Sequence, residues 1–338
     1  MLRINRNPES AVALRNVNII GAGNVSDSKI DPALAQLRAK GLLGQVTYLD
    51  IHPTLPFTSK VENAAYHKID PQRSAYRQLA DRGYLDDDTL TVIACATPWH
   101  AHYAADLAPL ARVAVEKPLT MDTRSAKELL AHEGSLYPIG HQIFKAPMLE
   151  FLDRVSRGDV DVTAIAAIEY DLMETIGVGN RSVDPIVWDT GFHALEAVVA
   201  TYRAVGYTCR VTPIEVTQGT YRHDGQSVSV PTAARIRACV ETPMGQVELT
   251  VRLGKGLSAP RKEMRCFDRQ GQSLATVGLT EGGHLAHQRL IEELLRLEPN
   301  MRLTLPDAVS VVQACEALQS AATDRGSYPL GSNPDWLD

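Results

Sequence analysis

This sequence most clearly lacks paired cysteines. Its five cysteines are widely separated, and no two of them form a C-x-x-C motif. This spacing argues against a zinc ribbon. Most of the cysteines lie in apolar runs, where cysteine behaves as a small buried hydrophobic residue, so the chain fits a reducing cytoplasm.

Long apolar runs and basic blocks are also missing. No window approaches the ~18 consecutive apolar residues of a membrane span, and residues 1–10 lack the apolar core of a signal peptide. The formal net charge is −6, whereas phosphate binding needs clustered Lys and Arg. We therefore expect a cytoplasmic protein that binds neither a membrane nor a nucleic acid.

The pattern of strands and helices predicts two domains in these 338 residues. Up to about residue 140, short apolar strands alternate with helices, which is typical of a doubly wound parallel sheet. Beyond it, longer strands alternate apolar with polar residues, which is typical of a mostly antiparallel, half-exposed sheet. We expect an α/β protein with a Rossmann domain over residues 1–140 and an α+β domain with a large open sheet over residues 141–338. The last helix is expected over about residues 306–323, packed back on the first domain, and a polar tail is expected from Tyr328 onward.

A glycine loop follows the first predicted strand. Gly21 permits a tight turn, and Gly23 lets the backbone, with Asn24 and Val25, approach a pyrophosphate at the N-terminus of the next helix. The third position of this dinucleotide motif holds Ser26 rather than Gly or Ala. A simple strand–helix turn therefore remains an alternative.

Asp50 stands at the end of the second predicted strand. A carboxylate there accepts hydrogen bonds from a ribose 2′-hydroxyl and repels a 2′-phosphate, which favours NAD over NADP. His52 nearby is a weak signal against this preference for NAD over NADP. The alternative is a solvated strand end.

A third strand of the pattern ends in Thr97-Pro98, with His100 and His102 shortly after. Histidines can bind metal, but this spacing differs from the i, i+4 of a helical zinc pair, and no acidic partner follows. We interpret the segment as a turn that flanks a cofactor, and we predict no metal site.

The next strand ends abruptly in Glu116-Lys117-Pro118. Proline stops the hydrogen-bond ladder, so both charges lie at the carboxyl end of a strand, where open α/β sheets bind ligands. Lys117 there can donate to a substrate hydroxyl or to a cofactor. The alternative is a salt-bridged strand end without chemistry.

Asp189 and His193 are four residues apart in a predicted helix and would share one face. A carboxylate beside an imidazole orients it and keeps it basic, as a general base requires. The alternative is an N-cap aspartate followed by a buried histidine.

These motifs, in this order, resemble the glucose–fructose oxidoreductase/inositol dehydrogenase (Gfo/Idh/MocA) family. The resemblance covers nearly the whole chain and includes the ending Leu305-Pro306-Asp307-Ala308. It implies that Glu116 lies in the cofactor site and that Lys117 donates hydrogen bonds to the reacting hydroxyl and to the nicotinamide side. It also implies that His193 accepts the proton, that Asp189 orients it, and that Pro118 is cis.

A second resemblance, to glucose-6-phosphate dehydrogenase, overlaps the first. His141 and Lys145 match its substrate motif, Glu169 its sugar-hydroxyl carboxylate, and Lys255 its phosphate-side lysine segment. The chain departs from it with Gly140 for Asp, Gln142 for Tyr, and a much shorter length. The resemblance implies that the four matching residues bind substrate.

We therefore expect an NAD-dependent dehydrogenase that oxidises a hydroxyl of a sugar, sugar phosphate or nucleotide-linked sugar. A cofactor-retaining or reductive oxidoreductase and a non-catalytic NAD-binding regulator remain alternatives. Because exposed sheet faces are usually covered, we also expect a homo-oligomer, a dimer or tetramer.

Overall fold

A computed structural model describes residues 14–175, 184–223, 226–227, 230–296 and 298–338 of the chain. Residues 1–10, on which the signal-peptide expectation depends, lie outside this range. The described chain forms two compact units. Unit 1 contains residues 14–116, His132–Ile139 and residues 287–301, and unit 2 contains Lys117–Ala131, Gly140–Ala286 and Arg302–Asp338. The chain thus passes between the units several times, whereas the sequence predicted a single boundary after residue 140.

The strands and helices follow one another in a regular order. The strands are β1 (Asn16–Ile20), β2 (Val46–Asp50), β3 (Ala65–Lys68), β4 (Thr89–Ile93), β5 (Arg112–Val115), β6 (Leu136–Pro138), β7 (Ala167–Met173), β8 (Arg210–His223), β9 (Gln226–Ser227), β10 (Ala233–Thr242), β11 (Gly245–Gly254), β12 (Arg261–Phe267), β13 (Ser273–Gly278) and β14 (Ala322–Pro329). The α-helices are α1 (Asp31–Ala39), α2 (Ala75–Ala80), α3 (His100–Leu107), α4 (Thr123–Glu128), α5 (Ala146–Arg157), α6 (Phe192–Arg203), α7 (Gly283–Leu294) and α8 (Leu305–Ser320).

Unit 1 is built on a parallel sheet of six strands in the order β3-β2-β1-β4-β5-β6. Its central strands are almost completely buried, as expected where both faces of a parallel sheet are covered. The strand order reverses between β1 and β4, which is where open α/β sheets bind ligands. The predicted Rossmann-like sheet is confirmed, including β6 with Pro138 at its edge.

Unit 2 is built on a mixed sheet in the order β13-β12-β7-β11-β10-β8-β14, with β9 paired to β8. Two pairings, β11 with β7 and β14 with β8, are parallel and the others are antiparallel. Buried and half-exposed residues alternate along most of β10: Ile236 and Ala238 are buried, and Arg235 and Arg237 are half-exposed. The predicted open, mostly antiparallel sheet is confirmed.

The C-terminal end differs from the prediction. The sequence predicted a helix to Thr323 and a polar tail from Tyr328, whereas α8 ends at Ser320 and β14 follows at once. β14 is mostly exposed, so it has no apolar alternation that would mark it as a strand. Its pairing with β8 supplies the hydrogen bonds instead.

The last two helices belong to different units. In unit 2, α8 begins at a capping box between Thr304 and Asp307 and packs against α6 and β8. Residues of α7 from His287 onward belong to unit 1. None of the described helices has both the length and the apolar character that crossing a membrane requires.

Candidate functional site

The glycine loop of unit 1 begins at a position that requires a glycine. Gly21 has a φ of +100°, and a Cβ there would lie 2.4 Å from the backbone N and Cα of Cys95. Gly21 therefore allows β1 to turn against the end of β4. The loop that follows lies at the carboxyl edge of the sheet.

The rest of the loop exposes its backbone. A Cβ on Gly23 would meet no protein atom within 4 Å, and Asn24 beside it is exposed while Val25 is half-buried. Ser26 is buried and its Oγ donates to the carbonyl of Gly21 at 2.5 Å. The Ser26 hydroxyl thus bonds the two ends of the loop to each other, at the position where the usual motif has Gly or Ala. The open space before Gly23 fits the close approach of a pyrophosphate.

Asp50 at the end of β2 lies against this loop. Its Oδ2 accepts from the backbone N–H of Ala22 at 2.6 Å, and its Oδ1 accepts from that of His52 at 3.1 Å. The carboxylate is thus held beside the glycine loop, as the predicted ribose-binding role requires.

The Thr97-Pro98 segment forms a 3₁₀ turn over Thr97–Trp99 at the carboxyl end of β4. His100, the first residue of α3, is buried, and its Nε2 lies 3.0 Å from the carbonyl oxygen of Cys95. His100 therefore helps to hold the turn in place. The predicted place of this turn beside a cofactor stays a prediction.

Glu116 follows β5 and is buried. Its Oε1 lies 2.7 Å from Nε2 of His287 on α7, also in unit 1. The carboxylate therefore ties α7 to the end of the strand, a contact that the sequence did not indicate. Glu116 retains its predicted place at the carboxyl edge of the sheet.

In unit 2, two lysines share one carboxylate. Nζ of Lys117 donates to Oδ1 of Asp189 at 2.6 Å and to the Asp189 carbonyl at 2.5 Å. Nζ of Lys255, just after β11, donates to Oδ2 of Asp189. Their side chains are 15% (Lys117), 10% (Lys255) and 26% (Asp189) exposed, so all three groups are largely removed from solvent. The Lys117–Pro118 peptide is cis, as the resemblance implies.

The two ammonium groups determine the charge of Asp189. Burial alone would raise the pKa of this carboxyl, but the nearby charges of Lys117 and Lys255 outweigh burial and hold the pKa well below its usual value. Asp189 is therefore ionised at neutral pH. The three side chains together carry one positive charge.

A second cluster in unit 2 surrounds His193. Nδ1 of His193 lies 3.3 Å from Oε2 of Glu196, and the ring of His141 meets it edge-on with centroids 4.6 Å apart. The predicted pairing of Asp189 with His193 assumed a regular α-helix. Asp189 instead lies in a π-helical turn, Val187–Gly191, that precedes α6. Both of its oxygens bond to lysines, and Glu196 is the carboxylate placed at His193.

Sequence reasoning missed Glu196, although a signal was present. Glu196 follows His193 by three residues, which places both on one face of a helix. A buried carboxylate at that spacing is a plausible histidine partner. Burial and the charge of Glu196 raise the pKa of the Cys315 thiol on α8, and the charge of Lys117 opposes this rise.

Two predicted substrate residues have other partners in unit 2. The buried ammonium of Lys145 donates to the carbonyl of Leu279. Oε2 of Glu169 on β7 accepts from Arg252 at 3.0 Å and from Arg265 at 2.6 Å. Lys145 thus ties the start of α5 to the segment after β13, and Glu169 belongs to an arginine network on the sheet.

Comparison with known proteins gives matches among solved structures only; no protein-family model and no curated protein matches the sequence. Glucose-6-phosphate 1-dehydrogenase from Mycobacterium avium matches with a TM-score of 0.69 at 16% identity, covering 96% of each chain. GenD2 from gentamicin A biosynthesis, in complex with NAD, matches with a TM-score of 0.66 at 16% identity, covering 92% of this chain and 95% of that chain. KijD10, a 3-ketoreductase from Actinomadura kijaniata in complex with NADP and TDP-benzene, matches with a TM-score of 0.60 at 14% identity, covering 94% of this chain and 100% of that chain.

The chain shares the fold of these oxidoreductases. At 11–16% identity the likeness is one of fold, and at that level the resemblance seen in the sequence is confirmed. The expectation of a chain much shorter than glucose-6-phosphate dehydrogenase is wrong for the Mycobacterium avium enzyme. Its structure and this chain cover each other to 96% and are therefore nearly equal in length.

The two loop glycines are expected to differ in their effect on stability. Gly21→Ala forces a side chain into a positive φ and against Cys95, so it should lower the free energy of unfolding by roughly 2 kcal/mol. Gly23→Ala is the matched control, because its Cβ would meet nothing in the protein. Thermal unfolding of both variants measures the difference. Equal midpoints for the two variants would contradict the assignment of Gly21 as the residue that requires glycine.

The lysine-bound carboxylate predicts a pH-dependent stability. Since the folded-state pKa of Asp189 lies below its unfolded value of about 3.9, its contribution is fully present above that pH and is lost as the pH falls. Asp189→Asn should therefore cost roughly 3 kcal/mol at pH 7, because it leaves two ammonium groups unpaired. The difference from the wild type should shrink as the pH falls towards 3.

Chemical denaturation of the wild type and Asp189→Asn at several pH values measures this difference. Asp153→Asn, which removes an exposed partner of Arg302, is the control and should show a small difference throughout. A cost for Asp189→Asn that stays constant down to pH 3 would contradict the depressed pKa.

Proposed function

We propose that the protein is an NAD-dependent dehydrogenase of the Gfo/Idh/MocA type that oxidises a hydroxyl of a sugar, sugar phosphate or nucleotide-linked sugar. The observation that carries the proposal is the cluster of Lys117 and Lys255 on Asp189. Of its two possible donors to a hydroxyl oxygen, Lys117 follows the end of β5 in the dinucleotide-type sheet by two residues, and Lys255 follows the end of β11. The scattered cysteines support a reducing cytoplasm as its location.

The cofactor is proposed to bind at the carboxyl edge of the unit 1 sheet. Its pyrophosphate would meet the exposed backbone of the glycine loop, and its ribose would meet Asp50. The proposed cofactor-binding residues are Gly21, Gly23, Asn24, Val25, Asp50, Thr97, Pro98, Glu116 and Lys117. Asp50 supports NAD over NADP, since a carboxylate repels a 2′-phosphate.

In the proposed reaction, bound nicotinamide would supply the acceptor for hydride from the substrate carbon. Lys117 donates a hydrogen bond to the reacting hydroxyl oxygen and stabilises negative charge that develops on it. Asp189 has too low a pKa to take the hydroxyl proton and instead holds the two ammonium groups in place. His193 takes that proton at Nε2, and the hydroxyl becomes a carbonyl.

Substrate binding is proposed to centre on Lys255 and His141. Lys255 adds a second ammonium group at Asp189, and His141 lies against the ring of His193. The net positive charge of the lysine cluster favours a substrate with an anionic group. Lys145 and Glu169 complete the proposed set, with their bonds to Leu279 and to two arginines holding them in position.

The reverse direction is the second candidate. The KijD10 neighbour is a 3-ketoreductase. The same donors and the same histidine would serve a carbonyl that gains a hydride and a proton, since each step is reversible.

The central experiment is turnover of a panel of free, phosphorylated and nucleotide-linked sugars with NAD or NADP, followed by the absorbance of the reduced nicotinamide. The wild type should reduce NAD faster than NADP with at least one sugar of the panel. Lys117→Met should lower kcat/KM by roughly 100-fold or more, because a donor to the reacting oxygen is lost.

Lys127→Met, at an exposed position of α4, is the matched control and should keep full activity. Full turnover by Lys117→Met would contradict the mechanism. Absorbance of nicotinamide in the purified protein would support the cofactor-retaining alternative. Binding of NAD with no turnover on the whole panel would support the regulator.

Self-association is proposed through the charged face of the unit 2 sheet. Glu215, Arg237 and Glu248 lie side by side on β8, β10 and β11, with Arg237 within 3.7 Å of Glu215 and 3.4 Å of Glu248. Neighbouring acidic and basic side chains on one face suit a two-fold interface, in which the same surface meets itself. The oligomer is proposed to be a dimer or tetramer.

Sedimentation velocity at micromolar concentration is expected to show a species of at least two chains. Arg237→Glu should shift the distribution towards the monomer, because it places like charges side by side. Arg124→Glu, on exposed α4, is the control and should leave the distribution unchanged. A monomeric wild type would overturn the proposal.

A further inference from the structure

Glu196 is a buried carboxylate that the proposed reaction has not yet used. Its side chain is 0% exposed, and that of His193, three residues earlier on α6, is 6% exposed. Oε2 of Glu196 lies 3.3 Å from Nδ1 of His193. A carboxylate so far from water is costly unless hydrogen-bond donors or opposite charges compensate it.

Two other titratable groups near Glu196, one on β7 and one on α8, do not become positive when they take a proton. Tyr170 of β7 and Cys315 of α8 both face it, and burial, followed by the charge of Glu196, raises the pKa of each. Both therefore stay neutral at ordinary pH. The imidazole of His193 lies next to Glu196 and becomes positive when it takes a proton, and the ring of His141 packs against it.

The carboxylate of Glu196 lies close to the backbone of Gly140. A Cβ on Gly140 would lie 3.0 Å from Oε1 of Glu196. The glucose-6-phosphate dehydrogenase motif has Asp at position 140, and an Asp here would compete with Glu196 for the same space. This chain therefore has a glycine at position 140, which leaves room for the buried carboxylate of Glu196.

A neutral imidazole carries one N–H, and the hydrogen bond at one nitrogen determines which nitrogen keeps the lone pair. An ionised carboxylate at Nδ1 requires the proton there, so the lone pair is on Nε2. The same negative charge stabilises the imidazolium that forms when Nε2 takes a proton. The effect is both orientation and increased basicity.

We propose that Glu196 is the positioning residue of His193: it holds the proton on Nδ1, presents Nε2 as the base, and takes the place of a carboxylate at position 140. Asp189, predicted from the sequence for this role, serves the lysines instead. The proposal rests on the proposed function for its kinetic consequence. The tautomer of His193 can be measured without any turnover.

The first test is ¹⁵N NMR of histidine-labelled protein, with His193→Gln to assign the His193 signals. The wild type should show His193 protonated at Nδ1 at neutral pH. Glu196→Gln, which keeps the size and removes the charge, should shift the population towards Nε2–H and lower the pKa of the ring. Glu150→Gln, at an exposed position of α5, is the control and should leave the signals unchanged.

The second test moves the carboxylate. Glu196→Ala should lose the Nδ1–H preference and lower kcat/KM by roughly 100-fold, with most of the loss in kcat rather than KM. Adding Gly140→Asp to that variant should restore both, because the new side chain enters the space that Glu196 vacates. Thermal unfolding of each variant separates lost folding from lost positioning.

The outcomes distinguish this inference from the proposed function. A wild-type tautomer that depends on Glu196, in a protein without turnover on any sugar, supports the positioning role and overturns the dehydrogenase. Turnover that survives Glu196→Gln with an unchanged pH profile, and a His193 tautomer that does not change, would overturn the positioning role alone. An Nε2–H tautomer in the wild type would also overturn it.

Discussion

The arrangement of unit 2 depends on one carboxylate shared by two ammonium groups. Asp189 joins the segment after β5, through Lys117, to the end of β11, through Lys255. Each charge is partly buried, so moving any one of these segments leaves the other charges without their partners, which costs far more than the loss of an exposed ion pair. The interaction therefore fixes three segments that are distant in sequence and gathers two hydrogen-bond donors at one point.

Two carboxylates that lie seven residues apart take different tasks because their surroundings differ. Asp189 is partly exposed between two cations, which stabilise its ionised form. Glu196 is fully buried beside the imidazole of His193. The same stretch of chain thus provides a countercharge for the two lysines and a buried carboxylate partner for a histidine.

The sheet of unit 1 was largely predictable. Strands that are buried on both faces of a parallel sheet consist of apolar runs, and the positive φ at position 21 requires a glycine. β3 was missed, since its residues are half-exposed and form no apolar run. β14 was missed because it is mostly exposed and polar, so its sequence shows no apolar alternation, and its pairing with β8 stabilises it. The glycine loop before α1 and the position of Asp50 were predicted correctly, because each directly follows the end of a predicted strand.

The candidate site was predictable in its residues but not in their pairing. Lys117, Asp189, His193 and Lys255 were all recognised, yet the bond between Lys255 and Asp189 joins residues 66 positions apart, which no local spacing can reveal. The partner of His193 was misjudged for a local reason. Counting four residues along a helix presumes 3.6 residues per turn, and the turn before α6 does not follow it.

Both helices next to the proposed binding residues begin with a π-helical turn, Ser26–Ile30 before α1 and Val187–Gly191 before α6. Such a turn holds an additional residue in the helix without breaking it. The direction of every side chain before the turn is thereby rotated relative to those after it. In this fold the gain or loss of a single residue before α6 would therefore rotate Asp189 relative to His193, while Glu196, on α6 itself, would stay three residues after the histidine. The charged groups around the histidine can thus change through the length of the chain while every one of these side chains is retained.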